Sequence, residues 1–183
     1  MNSRSSDKLR TSVFAELDRV DDSVLGRLRE RQGEVVLVLN DTHHHVWLHT
    51  KAFYPDGAFR LPTGGLKHGE SPDEGFEREL AEETGIRGVS HDCIGVLHYT
   101  HDGEKFPFTS YLYIVWDVDD VPIPEDTGEA ITGWMPVSRD GLHDHTCSLR
   151  ALGDGWEAWG EFRALAHDLL IAMMDDATDT YRE

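Results

Sequence analysis

The chain has 183 residues, of which 39% are hydrophobic, and its formal net charge at pH 7 is −18. This length suits one domain whose core is large enough to fold without disulfides or structural metals. Because nucleic acids and anionic membranes favour basic surfaces, the acidic balance argues against either as a non-specific partner.

Residues 1–10, MNSRSSDKLR, lack the apolar core of a signal peptide, and no apolar run is long enough to span a bilayer. Cys93 and Cys147 are too few for a disulfide framework, which favours a reducing compartment. We therefore expect a soluble, cytoplasmic protein.

The chain is predicted to divide into an N-terminal helical extension, residues 1–32, and a main domain, residues 33–183. The extension is interpreted as a small cap, a dimerisation arm or an insertion without function. A homodimer is therefore an open alternative.

Within the extension, residues 1–7 are polar and are expected to be loose. Residues 9–17 and 23–31 have the patterns of short helices, and Asp22 or Ser23 is the expected N-cap of the second.

The main domain has the sequence patterns of a mixed sheet. Apolar and alternating runs predict strands at residues 34–40, 45–52, 58–61, 93–101, 109–118 and 131–137. Residues 102–108 are predicted to form a loop. Apolar residues recur at three- and four-residue steps from Trp156 to Met173, which predicts a final helix. This order indicates an α/β fold with helices on both faces of the sheet.

A further helix is predicted to begin after Ser71. Ser71-Pro72-Asp73-Glu74 has the form of a capping box with proline at the first helical position. Gly85 supplies the stop signal. The helix would lay an apolar stripe against the sheet and leave a glutamate face pointing elsewhere.

That glutamate face holds Glu79, Glu82 and Glu83, which lie on one side of a helix at positions i, i+3 and i+4. Like charges at this spacing repel, but the trio becomes favourable once a hard divalent cation lies among the carboxylates. Arg78 can orient a carboxylate through paired hydrogen bonds. Gly64 lies in a tight loop whose carbonyl offers another hard oxygen ligand.

The stretch from Gly64 to Ile86, GGLKHGESPDEGFERELAEETGI, resembles the Nudix box. Its fixed positions are all filled, by Gly64, Glu70, the run Arg78-Glu79-Leu80-Ala81-Glu82-Glu83, and Gly85-Ile86. A pattern of this length is far more specific than a lone glycine-rich loop. The resemblance implies a Nudix-type α/β/α sandwich with a mixed sheet, in which the box forms a loop, a helix and a loop.

The resemblance also implies roles for individual residues. Glu79, Glu82 and Glu83 would bind Mg²⁺ or Mn²⁺, with the Gly64 carbonyl as a further ligand and Glu70 as an outer or occasional one.

Arg78 would orient the glutamates, and Glu79 is the candidate general base within the box. Members of the family often place the base or an extra ligand outside the box. Among Glu104, Glu125 and Glu129 we favour Glu129, which precedes a predicted strand; an ordinary loop acid is its alternative interpretation.

The implied reaction is hydrolysis of a nucleoside diphosphate linked to another moiety, by attack of water on phosphorus. The substrate is then a nucleotide-type small molecule: a nucleoside triphosphate, a nucleotide sugar, ADP-ribose or a dinucleoside polyphosphate. Nearby basic side chains would bind its phosphates, and Arg60, Lys67 and Lys105 are the candidates. A non-catalytic, Nudix-like module that senses a nucleotide or contacts a partner is the alternative function.

The composition leaves one further question open. Lysine is scarce, with four residues against thirteen arginines, and aspartate is abundant, with twenty. Such a bias suits a protein adapted to high salt, where screening removes self-repulsion. An acidic mesophilic surface explains the same composition equally well.

Overall fold

The computed structural model describes residues 11–180 of the chain. Its helices and strands follow in the order β1 (Thr11–Glu16), α1 (Asp22–Arg29), β2 (Glu34–Leu39), β3 (Val46–Lys51), β4 (Thr63–Gly65), α2 (Pro72–Thr84), β5 (His91–His101), β6 (Glu104–Val115), β7 (Ile131–Val137), α3 (Arg139–Arg150) and α4 (Glu157–Thr180). A short 3-10 helix, Thr127–Glu129, precedes β7.

The strands form two sheets. Five strands make a mixed sheet in the order β1-β5-β6-β2-β4, in which β1 is parallel to β5 and β2 is parallel to β6. Strands β3 and β7 form a separate antiparallel pair. An isolated bridge between His49 and Arg60 ties β3 to the segment that leads into β4.

Strand β2 is buried along its whole length because helices cover both faces of the large sheet. Alternate side chains of a strand point to opposite faces. Val35, Leu37 and Leu39 belong to one hydrophobic cluster with Phe76 and Leu80 of α2. Val36 and Val38 belong to a second cluster, which includes Leu25 and Leu28 of α1 and Phe162 and Leu169 of α4. The predicted layering of helix, sheet and helix is therefore confirmed.

Most of the predicted elements are present. Helix α2 and the strands expected near residues 34–40, 45–52, 93–101 and 131–137 lie within one or two residues of their predicted bounds. Helix α1 begins slightly earlier than predicted, because its N-cap is Asp21, whose side chain accepts a hydrogen bond from the Val24 amide.

Three predictions are wrong, and one helix was missed. Residues 11–16 form strand β1 rather than part of a helix, because they pair in parallel with β5. Residues 58–61 form no strand beyond the bridge at Arg60, and the strand follows at Thr63–Gly65. The loop predicted over residues 102–108 is mostly strand, since the hairpin turns within two residues and β6 starts at Glu104. Helix α3 was not predicted at all.

The corrected N-terminal segment is not a purely helical extension. Strand β1 lies at the edge of the main sheet, and α1 packs into the core that α4 also covers. The prediction for residues 1–7 lies outside the described residues. None of the helices within residues 11–180 combines the length and the apolarity needed to cross a bilayer.

Candidate active site

Helix α2 presents its carboxylates from a fixed position, because both ends of the helix are capped. Ser71 and Glu74 exchange hydrogen bonds between side chain and backbone, which is the predicted capping box. Gly85 ends the helix at φ 72°, a left-handed conformation that glycine adopts without strain. Glu79 and Glu83 lie one turn apart on this helix, and both are buried.

Arg78 holds three glutamates of the box together. Its Nε and Nη2 donate to the two carboxylate oxygens of Glu70 at 2.7 and 2.8 Å, which is a bidentate pair. Its Nη1 donates to Glu79 at 2.6 Å and to Glu82 at 2.9 Å. Nη2 also donates to the Gly65 carbonyl at 2.9 Å, so Arg78 connects α2 to strand β4. The predicted orienting role of Arg78 is consistent with these contacts.

Glu79 lies directly against the backbone of Gly64. A Cβ atom at position 64 would lie only 1.7 Å from the Glu79 Cδ atom. Any side chain at this position would therefore displace the carboxylate, and glycine is required for close approach rather than for its backbone dihedrals.

Three carboxylates converge beside this contact. Oxygens of Glu79, Glu83 and Glu129 all lie within 4.8 Å of one another. Glu129 comes from the 3-10 helix before β7, outside the box. Lys51, at the end of β3, donates from Nζ to Glu83 at 3.0 Å and to Glu129 at 2.5 Å. Two elements from other parts of the chain thus complete the acidic face of α2.

Burial changes the proton affinity of this cluster. It raises the pKa of Glu83 to about 7, although Lys51 and Arg60 oppose the shift. Burial also raises the pKa of Glu79, against the opposing effect of Arg78. Burial lowers the pKa of Lys51, but Glu83 and Glu129 outweigh it, so the net shift is upward and the ammonium stays charged. By contrast, the hydrogen bonds from Arg78 lower the pKa of Glu70 to about 2.

The cluster fits a hard divalent cation. Its donors are all carboxylate oxygens, the ligands that Mg²⁺ and Mn²⁺ prefer. Oε2 of Glu83 is buried and has no hydrogen-bond partner among the described residues. A buried anionic oxygen without a partner is costly, and a cation among the three carboxylates would satisfy it.

A cavity of about 400 Å³ opens beside the cluster. Glu79 and Glu129 lie at its acidic side. Five cationic side chains also line it, namely Arg27, Arg31, Lys51, Arg60 and Arg163. The cavity therefore holds an excess of positive side chains in a chain whose net charge is −18. This local reversal of charge suits a polyanionic ligand.

Of the predicted phosphate-binding residues, only Arg60 lines the cavity. Its guanidinium is buried and donates to the Tyr54 hydroxyl, the Leu61 carbonyl and Thr63. Lys67 and Lys105 are exposed and lie outside the cavity lining.

The predicted carboxylates are divided among three places. Glu79, Glu83 and Glu129 form the cluster, whereas Glu82 lies half-exposed beside Arg78. Glu70 has both oxygens engaged by Arg78. The alternative acids lie elsewhere: Glu125 pairs with Arg87 on the surface, and Glu104 begins β6 at the hairpin.

A sequence model of the NUDIX domain matches residues 30–144, well over half of the chain. The chain belongs to the Nudix family. Members of this family act on nucleotide-linked pyrophosphates and generally use a divalent metal ion, which agrees with the chemistry of the carboxylate cluster.

Named relatives agree with this assignment. Nudix hydrolase 24, chloroplastic, of Arabidopsis thaliana is 32% identical over 97 residues, which cover 51% of this chain and 24% of that protein. An RNA pyrophosphohydrolase of Mesorhizobium japonicum is 42% identical over 52 residues, which cover 25% of this chain and 30% of that protein. The matched stretches thus span less than a third of these relatives.

The fold is also that of solved Nudix structures. The E. coli dihydroneopterin triphosphate pyrophosphohydrolase superposes with a TM-score of 0.52 at 14% identity, covering 78% of this chain and 96% of that one. At this identity the likeness shows the shared fold alone.

Sequence reasoning missed several residues of the Nudix site. The sequence contains one indication that Lys51 is special. It shares a face of β3 with Trp47 and His49 at two-residue spacing, and a lysine is unexpected on that face. Arg163 sits on the buried face of α4 and pairs with Glu34 at 2.8 Å, a contact across 129 residues of sequence. No local pattern predicts a pair of that separation.

Proposed function

We propose that the protein is a Nudix pyrophosphohydrolase that hydrolyses a phosphoanhydride bond in a nucleoside diphosphate linked to another moiety. The supporting observation is the convergence of Glu79, Glu83 and Glu129 beside a cation-lined cavity, together with a buried Glu83 oxygen that has no hydrogen-bond partner within residues 11–180. The box residues hold this arrangement together through Arg78 and Gly64.

The proposed metal is Mg²⁺ or Mn²⁺, held by Glu79, Glu83 and Glu129. Glu82 is also a proposed ligand. The hydrogen bond that it accepts from Arg78 keeps its carboxylate on the adjacent side of the helix. The Gly64 carbonyl and Glu70 are further proposed contacts. A bound cation would neutralise phosphate oxygens and lower the pKa of a water molecule.

Two side chains can accept the proton of the attacking water. Glu79 is buried against Gly64, and this burial raises its pKa toward neutral pH, which makes it a stronger base. Glu129 is more accessible, with 26% of its side chain exposed, and it lines the cavity. We assign the base to one of these two, with Glu129 as the candidate outside the box.

The substrate is proposed to enter the cavity with its phosphates toward the carboxylates. Lys51 and Arg60 lie on this side and offset the negative charge of the diphosphate. Phe53, Tyr54 and Trp159 line the same cavity and offer aromatic surface to the organic part of the substrate.

A screen of phosphate and nucleotide release tests the proposal. Nucleoside triphosphates, nucleotide sugars, ADP-ribose and dinucleoside polyphosphates should be offered with Mg²⁺, at low and multimolar NaCl. Turnover of at least one class that a chelator abolishes is expected. If none is turned over under any of these conditions, the chain is better described as a nucleotide-binding module.

A further inference from the structure

Within residues 11–180, two arginines of the cavity lining have neither an ion-pair partner nor a hydrogen-bond acceptor for their side chains. Arg27 lies in α1 and Arg31 lies two residues beyond the end of that helix, and both are exposed and line the cavity. Neither forms an ion pair within residues 11–180, which also holds for Arg19, Arg29 and Arg60, whereas Arg78, Arg87, Arg139, Arg150 and Arg163 do. The chain has 35 acidic residues against 17 lysines and arginines. Two guanidinium groups left unpaired in one cavity, despite this surplus of acids, point to an anionic ligand.

The position of Arg31 relates this pair to the carboxylate cluster. Its Nη1 lies 3.3 Å from the place of a Cβ atom at Gly65. The preceding residue, Gly64, is the one whose backbone touches the Glu79 carboxylate. Adjacent Cα atoms are about 3.8 Å apart. Because successive residues of a strand point to opposite faces, the Arg31 guanidinium lies across the edge strand β4 from the Glu79 carboxylate, and both side chains line the same cavity.

Arg27 adds a second guanidinium to the same cavity. It comes from α1, four residues before Arg31 in the sequence. Position 27 precedes residue 30, where the NUDIX domain match begins. This chain therefore adds one of the two arginines from a segment outside the matched domain.

The other cations of the cavity are already engaged. Arg163 donates to Glu34 and Thr63, and Arg60 donates to Tyr54, Leu61 and Thr63. Lys51 is paired with Glu83 and Glu129. Among the cationic residues that line the cavity, only Arg27 and Arg31 have side chains that donate to no group within residues 11–180.

We propose that Arg27 and Arg31 bind the phosphate group farthest from the nucleoside, so the substrate class is a nucleoside triphosphate or a longer phosphate chain. A guanidinium fork matches a phosphate group geometrically, and its charge is permanent. A neutral sugar in the same place would leave both cations without a counter-charge. This inference rests on the proposed function, because it assigns the substrate class of the same site.

The first test compares two substrates in matched variants. The Arg27→Gln/Arg31→Gln protein should lose about 100-fold in kcat/KM for nucleoside triphosphates, at roughly tenfold for each charge-assisted contact. For ADP-ribose, whose terminal ribose is neutral, the loss should stay below about threefold. Arg29→Gln is the matched control, because Arg29 lies on the same helix but over the Phe106 ring, outside the cavity lining.

The outcomes separate this inference from the proposed function. Equal losses for both substrates, or an unchanged rate for triphosphates, would overturn the inference while leaving the hydrolase assignment in place. Absence of turnover by the wild type would overturn the proposed function instead.

A binding measurement decides the inference even without turnover. In calorimetry with Mg²⁺, inorganic triphosphate should bind wild-type and Arg29→Gln protein more tightly than inorganic diphosphate does. The double variant should lose this preference. If the preference persists in the double variant, or never exists in the wild type, Arg27 and Arg31 do not recognise a terminal phosphate.

Discussion

The Lys51 ammonium lies 3.0 Å from the Glu83 carboxylate, and both side chains are almost fully buried, with 8% and 1% of their surface exposed. The same ammonium contacts Glu129. The carboxylate cluster therefore contains its own counter-charge, supplied by a strand of the smaller sheet. The lysine contacts only two of the three carboxylates, and one Glu83 oxygen has no partner within residues 11–180, so that oxygen is left for a metal ion.

Replacement of Lys51 should destabilise the protein without metal and increase the stabilisation that Mg²⁺ provides. In chelator, Lys51→Met should lower the free energy of unfolding by about 3 to 5 kcal/mol, because it leaves buried carboxylates without their partner. The stabilisation by Mg²⁺ should exceed that of the wild type, since repulsion is then relieved by the metal alone. Urea unfolding in chelator and in Mg²⁺ measures both effects.

A double variant serves as the control for this prediction. Lys51→Met/Glu83→Gln should be less destabilised than the two single changes together, because the second change removes the carboxylate that the first one leaves unpaired. Strict additivity would mean that the two buried side chains do not interact.

Gly64→Ala should abolish activity and leave the fold intact. The added methyl would meet Glu79 Cδ at 1.7 Å, so the carboxylate must leave its position against β4. We expect a fall in kcat of at least 100-fold and a smaller Mg²⁺-induced rise in melting temperature. Gly26→Ala is the control, since a Cβ there would meet no atom within 4 Å. Normal turnover by Gly64→Ala would contradict the proposed contact between metal site and backbone.

Substitutions of the α2 glutamates should differ sharply in their effect on turnover. Glu83→Gln keeps the size of a buried side chain and removes its charge, so we expect most activity and most of the Mg²⁺ stabilisation to be lost. Glu82→Gln should also lose most activity if Glu82 joins the metal. Glu77→Gln is the control on the same helix, because Glu77 is exposed and outside the cavity lining. Steady-state kinetics at limiting Mg²⁺, together with melting curves, distinguish the three variants. A near-wild-type rate for Glu83→Gln would refute the cluster as a metal site.

The local part of the site could be predicted from the sequence. Capping at Ser71, the stop at Gly85 and the shared face of Glu79 and Glu83 all depend on residues within a few positions of each other. Such short-range relations follow from helix geometry.

The remaining part depends on contacts between distant segments. Lys51 reaches Glu129 across 78 residues, and Arg163 reaches Glu34 across 129. Strand β1 resembles a helix locally, and only pairing with β5 makes it a strand. Tertiary contacts of this kind override local preference, which explains both the missed residues and the wrong element.

Stability without metal should fall as the pH rises from about 4.5 to about 7. The folded pKa of Glu83 is raised to about 7 by burial, whereas the ordinary value is 4.5. Between these values the folded protein keeps a proton that the unfolded chain has released, so rising pH favours unfolding. The full effect on the free energy of unfolding is up to roughly 3 kcal/mol. Glu70 acts in the opposite sense, but its window lies below 4.5, down to about 2.

The difference between wild type and Glu83→Gln isolates this effect. Both proteins should be unfolded with urea in chelator at several values from pH 5 to pH 8, and the free energies subtracted. Other titrating groups, including the histidines, largely cancel in the subtraction. The wild type should lose stability relative to the variant as the pH rises, and a difference that does not change with pH would contradict a raised Glu83 pKa.

Added NaCl should stabilise the protein in the absence of divalent metal. With a net charge of −18, self-repulsion acts against the compact state at low ionic strength. The Debye length falls from about 10 Å at 0.1 M to about 3 Å at 1 M, so salt removes most of this repulsion. Salt also weakens exposed ion pairs such as Arg87 with Glu125, but solvent already screens pairs of this kind, so they contribute little to stability. The relief of repulsion should therefore dominate.

The measurement is a series of melting curves from 0.1 to 2 M NaCl in chelator, repeated with millimolar Mg²⁺. Glu83→Gln separates the two cation effects, because it should keep the NaCl response and lose most of the Mg²⁺ response. A rising melting temperature in chelator would confirm that self-repulsion opposes the compact state, which the net charge predicts under either explanation of the composition. A flat or falling curve would refute the high-salt interpretation and leave the metal site unaffected, because that site depends on three converging carboxylates rather than on the total charge.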